Sequence, residues 1–400
     1  WRVPHFEKML YDNAQLMSVF AMASSRFGRE DFLNTARNIA NYLIREESVY
    51  ENNQFAGFAS AEDADDPGGE GNFYAWTTTQ LENALGKAQG DEIANLWNIT
   101  GDNANTHGVY TYRIPHPRGS QDYISLTTEE KMQQRKVWES IYSILLKERN
   151  TRPKPFRDSK VLTDWNALTL MGFSVLYAHW PDQSLKNMVD ALAQLIIQRF
   201  NGDTLHRLPG KRGHLTDYGH SALALFTGWE VTGNQEYLNT SAAITRLALD
   251  KFTSSEGKLY TSEKNSGVFM QYEEKYDHAH PAGAHTLLLA WVRLNALDQL
   301  PEYKLLIDQI VKRKITQAAN FPILIPMFLC VLEELQNGPL TLTVPADNVH
   351  FSKLLKWAAS DVRLIPKPDT KYYQFCEKDR CLIPASSLPE LEDILKFSWH

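Results

Sequence analysis

The chain has 400 residues, 43% of them hydrophobic and 11% aromatic, which supplies ample material for a core and excludes global disorder. Its 48 acidic and 41 basic residues are interspersed, for a formal net charge of -7, and that balance argues against a groove built to neutralise a nucleic-acid backbone. The longest apolar stretch, residues 321–332, is too short to span a bilayer and contains two prolines, so no membrane anchor is expected.

From the N-terminus, Phe6, Met9, Leu10, Met17, Phe20 and Ala21 keep the three-or-four spacing of a helix that buries one face, and Phe32, Ala36, Ile39, Ala40 and Leu43 repeat it. Residues 51–125 break the pattern: 55–60 and 72–76 read as short strands flanking an acidic loop, followed by two short helices and a tyrosine-rich connector. Helical periodicity returns over 126–149, 163–179, 183–200, 214–232, 235–252, 284–298, 302–316 and 323–336, which makes ten long helices, each above the ~11-residue mean. Connectors such as Asn201-Gly202-Asp203 and Gly233-Asn234 carry turn chemistry, and short turns between helices imply antiparallel hairpins. From Pro339 come a strand-like 340–344, a helix near 351–360, and extended 362–365 and 372–375. The expected fold is mainly α: an (α/α) toroid over 1–337, with 51–125 inserted, and a small α/β appendage over 338–400.

The polar motifs sit at the starts of alternate helices. Residues 3–13, VPHFEKMLYDN, open one; Thr163-Asp164-Trp165-Asn166 and Thr216-Asp217-Tyr218 open two more; Asp277-His278-Ala279-His280-Pro281 precedes the last. In a ring of helical hairpins the inner helices run parallel, so alternate N-termini gather at one end and the motifs become one site. The unpaired amides and positive dipole there favour anions or hydroxyl-rich ligands. Trp165 and Tyr218 beside Asp164 and Asp217 combine flat apolar faces with hydrogen-bond acceptors, which is what a sugar requires. As helix caps, the same Asp, Thr and Asn residues would be purely structural. In the first motif Glu7 and Tyr11 share a helix face, with His5 a turn earlier and Asp12 on the adjoining face. Glu7 is either a pocket residue or an ion-pair partner for an Arg or Lys.

Other patterns are weaker. The acidic loop 62–70 carries Asp63 and Asp65, but Pro67 and Tyr74 occupy ligand positions of an EF-hand, so the loop reads as a solvated segment or a pocket lid, and no metal is expected. Thr79 to Glu82 has capping-box spacing. His278, His280 and His285 lack the spacing of a zinc site. No Walker loop, dinucleotide fingerprint or nucleophile elbow occurs, and no cofactor is expected. Cys330, Cys376 and Cys381 give no disulfide framework and no C-x-x-C motif, which fits a reducing, cytoplasmic setting. The chain starts at Trp1 within a motif-rich segment, with no export sequence before it, so upstream sequence is expected.

Together, VPHFEKMLYDNAQL at 3–16, GFASAEDAD at 57–65, EGNFYAWT at 70–77, LTDWNAL at 162–168, LTDYGH at 215–220 and DHAHPAGAH at 277–285 resemble the bacterial YyaL-type proteins and their animal relative, spermatogenesis-associated protein 20. The resemblance implies a thioredoxin-like domain upstream as a partner, followed by an (α/α)6 toroid of the six-hairpin glycosidase and N-acylglucosamine 2-epimerase type. Ten helices are two short of its twelve, consistent with one hairpin lying upstream as well. Ala282 and Ala284 depart from the polar residues usual in the last motif, and Gly219-His220 from a more apolar continuation.

Two functions are in competition. As a carbohydrate-active enzyme, glycosidase- or epimerase-like, the chain would draw catalytic groups from His5, Glu7, Asp63, Asp65, Asp164 and Asp217, and would hold a saccharide-like ligand with Tyr11, Asp12, Trp165, Asn166, Tyr218, His278 and His280. As a non-catalytic binding or regulatory scaffold serving the redox domain, it would instead pair its carboxylates with cations such as Arg152, Arg157, Lys160 or Arg207.

Overall fold

The computed structural model describes residues 5–96, 99, 127–264, 267–338, 340–345, 354–355, 362–367, 369–377 and 380–398. The chain forms two compact units, a smaller one of residues 1–8 with 61–158 and a larger one of 9–60 with 159–400.

The larger unit opens with the helices α1 (Leu10–Phe27) and α2 (Glu30–Tyr42), turned on Gly28 in the left-handed conformation, and a hairpin of β1 (Ser48–Glu51) and β2 (Gln54–Phe58). The chain then builds the smaller unit from β3 (Ala61–Glu62), β4 (Asp65–Asp66), β5 (Gly69–Glu70), the helices α3 (Thr78–Leu85), α4 (Lys87–Leu96) and α5 (Thr128–Arg149), and β6 (Arg157–Asp158). Leu81, Ile93, Ala94, Ile141 and Leu145 form its own core.

Two expectations in the smaller unit are corrected. Residues 72–76 form turns rather than a strand, because the Tyr74 and Ala75 amides both return to Gly71 O while Arg152 Nη1 donates to the carbonyls of Asn72, Phe73 and Ala75. The capping box lies two residues earlier than expected, at Thr77 and Gln80. The tyrosine-rich connector lies outside the described residues.

The larger unit resumes with paired helices: α6 (Thr163–His179) and α7 (Gln183–Arg199); then, after the small hairpin β7 (His206–Leu208) and β8 (Lys211–Arg212), α8 (Leu215–Thr232) and α9 (Gln235–Phe252); then α10 (Gly283–Asn295), α11 (Lys304–Asn320) and α12 (Pro326–Asn337). Helices α1, α6, α8 and α10 pack successively against one another as an inner layer, and α2, α7 and α9 pack outside their partners. Sequence explains the division. Along α8 nearly every residue is buried, including Tyr218, Ala222, Phe226 and Trp229, so no polar face is needed; α7 and α9 carry apolar residues on one stripe only. The fold is thus mainly α, a double layer of helical hairpins, as the periodicity implies.

A four-stranded sheet follows, ordered β10-β9-β11-β12, from β9 (Leu340–Pro345), β10 (Val362–Lys367), β11 (Gln374–Glu377) and β12 (Arg380–Cys381), then α13 (Leu388–Ser398). Strand β10 runs parallel to β9 and packs on α8. Apart from helical Leu354 and Leu355, the helix expected near 351–360 lies outside the described residues. Cys376 and Cys381 are directly opposed in the antiparallel pair β11/β12, with Cα atoms 4.0 Å apart, and form a disulfide. That corrects the expectation of no disulfide and removes its support for a reducing compartment. Among the described residues no helix is long and apolar enough to cross a membrane.

The inner layer depends on close backbone approach where α8 meets α10. A Cβ at Gly283 would lie 2.5 Å from Thr216 N and Cα, and one at Gly219 would run into Gly283 O. A helical Gly→Ala change ordinarily gains about 1 kcal/mol, but a clash with backbone has no rotamer to relieve it and overpacking costs about 1–3 kcal/mol. Gly219→Ala and Gly283→Ala are therefore expected to lower the melting temperature by several degrees. Gly228→Ala on the same helix α8, whose Cβ would meet side chains at an ordinary 3.5 Å, should leave it unchanged or raise it. Thermal denaturation of the three variants checks this, and equal effects would contradict it.

Candidate functional site

The inner helices begin side by side. The Tyr11 ring on α1 meets the Trp165 ring on α6 edge-on at 4.9 Å between centroids and the His280 ring at 5.5 Å, and His280 meets His220 on α8 at 5.3 Å. The Asp164 amide donates to Asp217 Oδ1 at 3.2 Å. Four motifs separated in sequence thus contribute to one cluster, with Trp165, Tyr11 and His280 partly exposed and Asp164, Asp217 and His220 buried.

At its centre is Arg207, on β7. Its Nη1 lies 2.7 Å from Asp164 Oδ2 and 3.2 Å from Asp217 Oδ2. Asp164 Oδ1 accepts from the Trp165 amide, and Asp217 Oδ2 accepts from the His214 amide, so each carboxylate also caps its own helix start. Two carboxylates around one guanidinium carry excess negative charge. Burial, and then the Asp164 charge, push the Asp217 carboxyl up against the opposing pull of Arg207. Burial lowers the Arg207 guanidinium, but Asp217 and Asp164 outweigh it and the net shift is upward, so Arg207 stays charged.

The remaining expected ligand residues fall into separate roles. Asn166 is fully buried and behaves as a strand partner, its Oδ1 accepting from the Phe58 amide at 2.8 Å and its Nδ2 donating to Phe58 O at 3.1 Å. Tyr218 is buried and its hydroxyl accepts from the Leu205 amide; burial pushes its phenol up to about 12. Asp12 is exposed in the first turn of α1, and His278 is exposed in the loop before α10.

His5, Glu7, Asp63 and Asp65 belong to the smaller unit. His5 Nε2 and Glu7 Oε2 are 3.1 Å apart with both side chains exposed. Asp63 Oδ1 accepts from the Asp65 amide at 3.4 Å, and both side chains are exposed or at the surface. In the same loop Asp66 accepts from the Gly68 and Phe73 amides, which shapes the β4/β5 turn. Among the described residues of this unit the buried carboxylate is Glu62, hydrogen-bonded by the Tyr74 hydroxyl.

Asp277 organises the far side of the cluster. Its Oδ1 accepts from the Ala282 amide and from His285 Nδ1 at 2.8 Å, and its Oδ2 accepts from the Met327 amide, so one carboxylate holds the starts of α10 and α12. His285 Nε2 faces buried Lys314 Nζ at 3.3 Å. Burial favours the neutral forms of both His285 and Lys314.

No protein-family model matches the chain. Human spermatogenesis-associated protein 20 is 26% identical over 342 residues, covering 72% of this chain and 42% of that protein. The mouse protein of the same name is 30% identical over 203 residues, and a Caenorhabditis elegans protein 23% over 382 residues, 87% of this chain. The chain is similar to spermatogenesis-associated protein 20 over most of its length. The motif resemblance is borne out, and the chain spans about half the length of the curated relatives it matches, 42% of the human protein and 52% of the worm one. Among solved structures, a GH76 α-mannanase from Bacteroides thetaiotaomicron has 9% identity and a TM-score of 0.43, covering 76% of this chain and 60% of that one. Cellobiose 2-epimerase from Bacillus thermoamylovorans has 13% identity and a TM-score of 0.35, covering 79% and 76%.

The sequence offered Arg207 only as one of several possible ion-pair partners and gave His220 no place in the site. Arg207 lies on a short strand outside the helix-start motifs, so spacing gave it no special place. His220 follows Asp217 by three residues on α8 and so shares its face, a signal available in the sequence.

His220 is fully buried, and its Nε2 donates to Pro281 O at 2.9 Å, which leaves Nδ1 as the lone-pair nitrogen. Burial, only partly offset by the Asp164 charge, lowers its imidazolium pKa to about 4. A folded pKa depressed below the unfolded value gives stability that is present above ~6.5 and lost as pH falls through about 4. Asp217, raised, titrates with the opposite sign over much of this window, so the readout is the difference between wild type and His220→Gln. Denaturant unfolding at pH 7, 5.5 and 4 should find wild type losing of order 3 kcal/mol relative to the variant between pH 7 and 4. A constant difference would mean that His220 is not held neutral.

Proposed function

We propose that this chain is a saccharide-binding (α/α) toroid domain whose ligand rests at the N-terminal ends of the inner helices, against Trp165, Tyr11 and His280 with Arg207 as the oriented donor. The observation that carries this reading is that both buried carboxylates of the cluster are bound to Arg207 Nη1, at 2.7 and 3.2 Å. A glycosidase keeps one carboxyl as an acid and a second as base or nucleophile, both reaching the ligand. Asp164 is 2% exposed and Asp217 0%, so neither is available for that work. Their chemistry here is to fix a guanidinium, one quarter exposed, beside partly exposed aromatic rings. Flat apolar faces next to a rigid donor suit the faces and hydroxyls of a pyranose.

The non-catalytic reading also gives the chain its place in a larger protein: a recognition domain for a thioredoxin-like domain upstream. The scattered exposure of His5, Glu7, Asp63 and Asp65 adds no second catalytic set, and they enter the proposal only as candidates of the smaller unit.

Thermal-shift titration with a panel of neutral mono- and disaccharides tests it, because a ligand that binds only the native state raises its melting temperature by mass action. At least one saccharide should give a saturable rise. Trp165→Ala should weaken that response at least tenfold at nearly unchanged stability, whereas Arg207→Met would strand two buried carboxylates and cost about 3–5 kcal/mol. A flat response to the whole panel refutes saccharide binding, and hydrolysis or epimerisation of any panel member by the purified chain refutes the non-catalytic part.

A further inference from the structure

Cys376 and Cys381 are five residues apart, and the sheet holds both sides of the short loop they close without help from the disulfide. Strand β11 pairs with β9 from Leu340↔Glu377 to Thr343↔Gln374. Beyond the disulfide the Leu382 amide donates to Phe375 O at 2.8 Å, and Tyr373 and Ala385 exchange both backbone hydrogen bonds at 2.8 Å. Stabilisation by a cross-link grows with the loop it closes, because it acts on the freedom of the unfolded chain. A link over so short a loop, in a hairpin that backbone bonds already close, adds little to the fold.

The disulfide is also open to solvent. Phe375 is buried beside Leu342, and alternation along β11 turns Cys376 to the opposite face, where it is half-buried. Cys381 is exposed. Because Leu382 and Phe375 are hydrogen-bonded, the next pair, Cys376 and Cys381, is a non-hydrogen-bonded one, the kind whose side chains stand closest, and their Cα atoms are 4.0 Å apart. The strands therefore keep the two sulfurs on one face and within reach of each other when the bond between them is broken. Exposed disulfides are the labile ones in exchange, and two thiols held side by side re-form their bond readily. The third cysteine, Cys330 on α12, is free.

We propose that the Cys376–Cys381 pair is a reversible dithiol–disulfide centre that accepts two electrons from a dithiol protein, with Cys381 as the sulfur attacked. A thiolate of the donor attacks Cys381 Sγ. The bond to Cys376 breaks, a mixed disulfide forms, and Cys376 Sγ leaves as a thiolate and takes up a proton. The donor's second thiolate then displaces Cys381 Sγ, which is protonated in turn, so the chain ends with two thiols and the donor with one disulfide. Attack falls on Cys381 because it is the exposed member of the pair. This centre is independent of the saccharide reading.

Exchange with reduced thioredoxin tests it on the full chain carrying Cys330→Ser, which removes the free thiol. Alkylation and mass measurement should find two new thiols per chain for each thioredoxin oxidised, with the circular dichroism of the folded chain retained. Phenylarsine oxide, which needs two neighbouring thiols, should then be captured one to one, and oxidised glutathione should restore the bond. Thioredoxin lacking its second cysteine, with the released thiol alkylated, should be found joined to Cys381. Dithiothreitol should reduce the native chain within about tenfold of the rate in denaturant, because no opening of the fold is needed. Reduction only after unfolding, loss of the fold on reduction, or a mixed disulfide at Cys376 overturns the proposal. If Cys330→Ser impairs folding, the same measurements apply to the unsubstituted chain, with one thiol before exchange and three after.

Discussion

The larger unit depends on one constraint: its inner helices α6, α8 and α10 are buried over most of their surface, so the polar groups at their starts must be satisfied inside the protein. Helix starts present unpaired amides and a partial positive charge. In α6 and α8 the answer is Asp164 and Asp217, each of which caps its own helix, and the surplus negative charge they create is matched by Arg207. Removing one partner of such a buried set leaves an uncompensated charge, which is far costlier than never having had the set. The cluster is therefore a structural requirement first, and its guanidinium keeps a quarter of its side chain exposed.

The same constraint recurs at α10 and α12. Asp277 accepts from one amide at each start and orients His285, whose other nitrogen faces Lys314, while Glu274 takes the Gly283 amide. Close approach completes the arrangement. Gly219 and Gly283 bring α8 and α10 near enough that the loop before α10, with His280 and Pro281, reaches His220. A histidine in such a place has no solvent to stabilise its charge and is held neutral.

At the opposite ends of these helices the problem is solved differently. The C-terminal sheet supplies Arg363 from β10 to two carboxylates, Glu230 of α8 and Glu334 of α12, while Arg293 of α10 shares Glu334. Sheet and inner helices are thus joined by ionic contacts as well as by the apolar packing of Leu342, Val344, Leu364 and Ile365 into the common core.

The sequence by itself determined the helices, since a buried stripe imposes its period locally, and the runs at 163–179, 183–200, 214–232 and 235–252 are found within a residue or two of their expected limits. It also determined which helix starts are polar, and hence that Tyr11, Asp164, Trp165, Asp217 and His280 belong together once alternate helices run parallel. Tertiary structure alone decided what those residues are for. Asn166 and Tyr218 carry the same chemistry in the sequence as their neighbours, yet one is spent on the Phe58 backbone and the other on the Leu205 amide, because each lies on the face turned into the core. Arg207, forty-three residues from Asp164, is brought to it only by the fold, as are Cys376 and Cys381 by a register that sets them opposite one another. Local spacing fixes which way a side chain leaves its helix; whether it then meets a carboxylate, a carbonyl or open space depends on segments far away in the chain, and no local pattern encodes that.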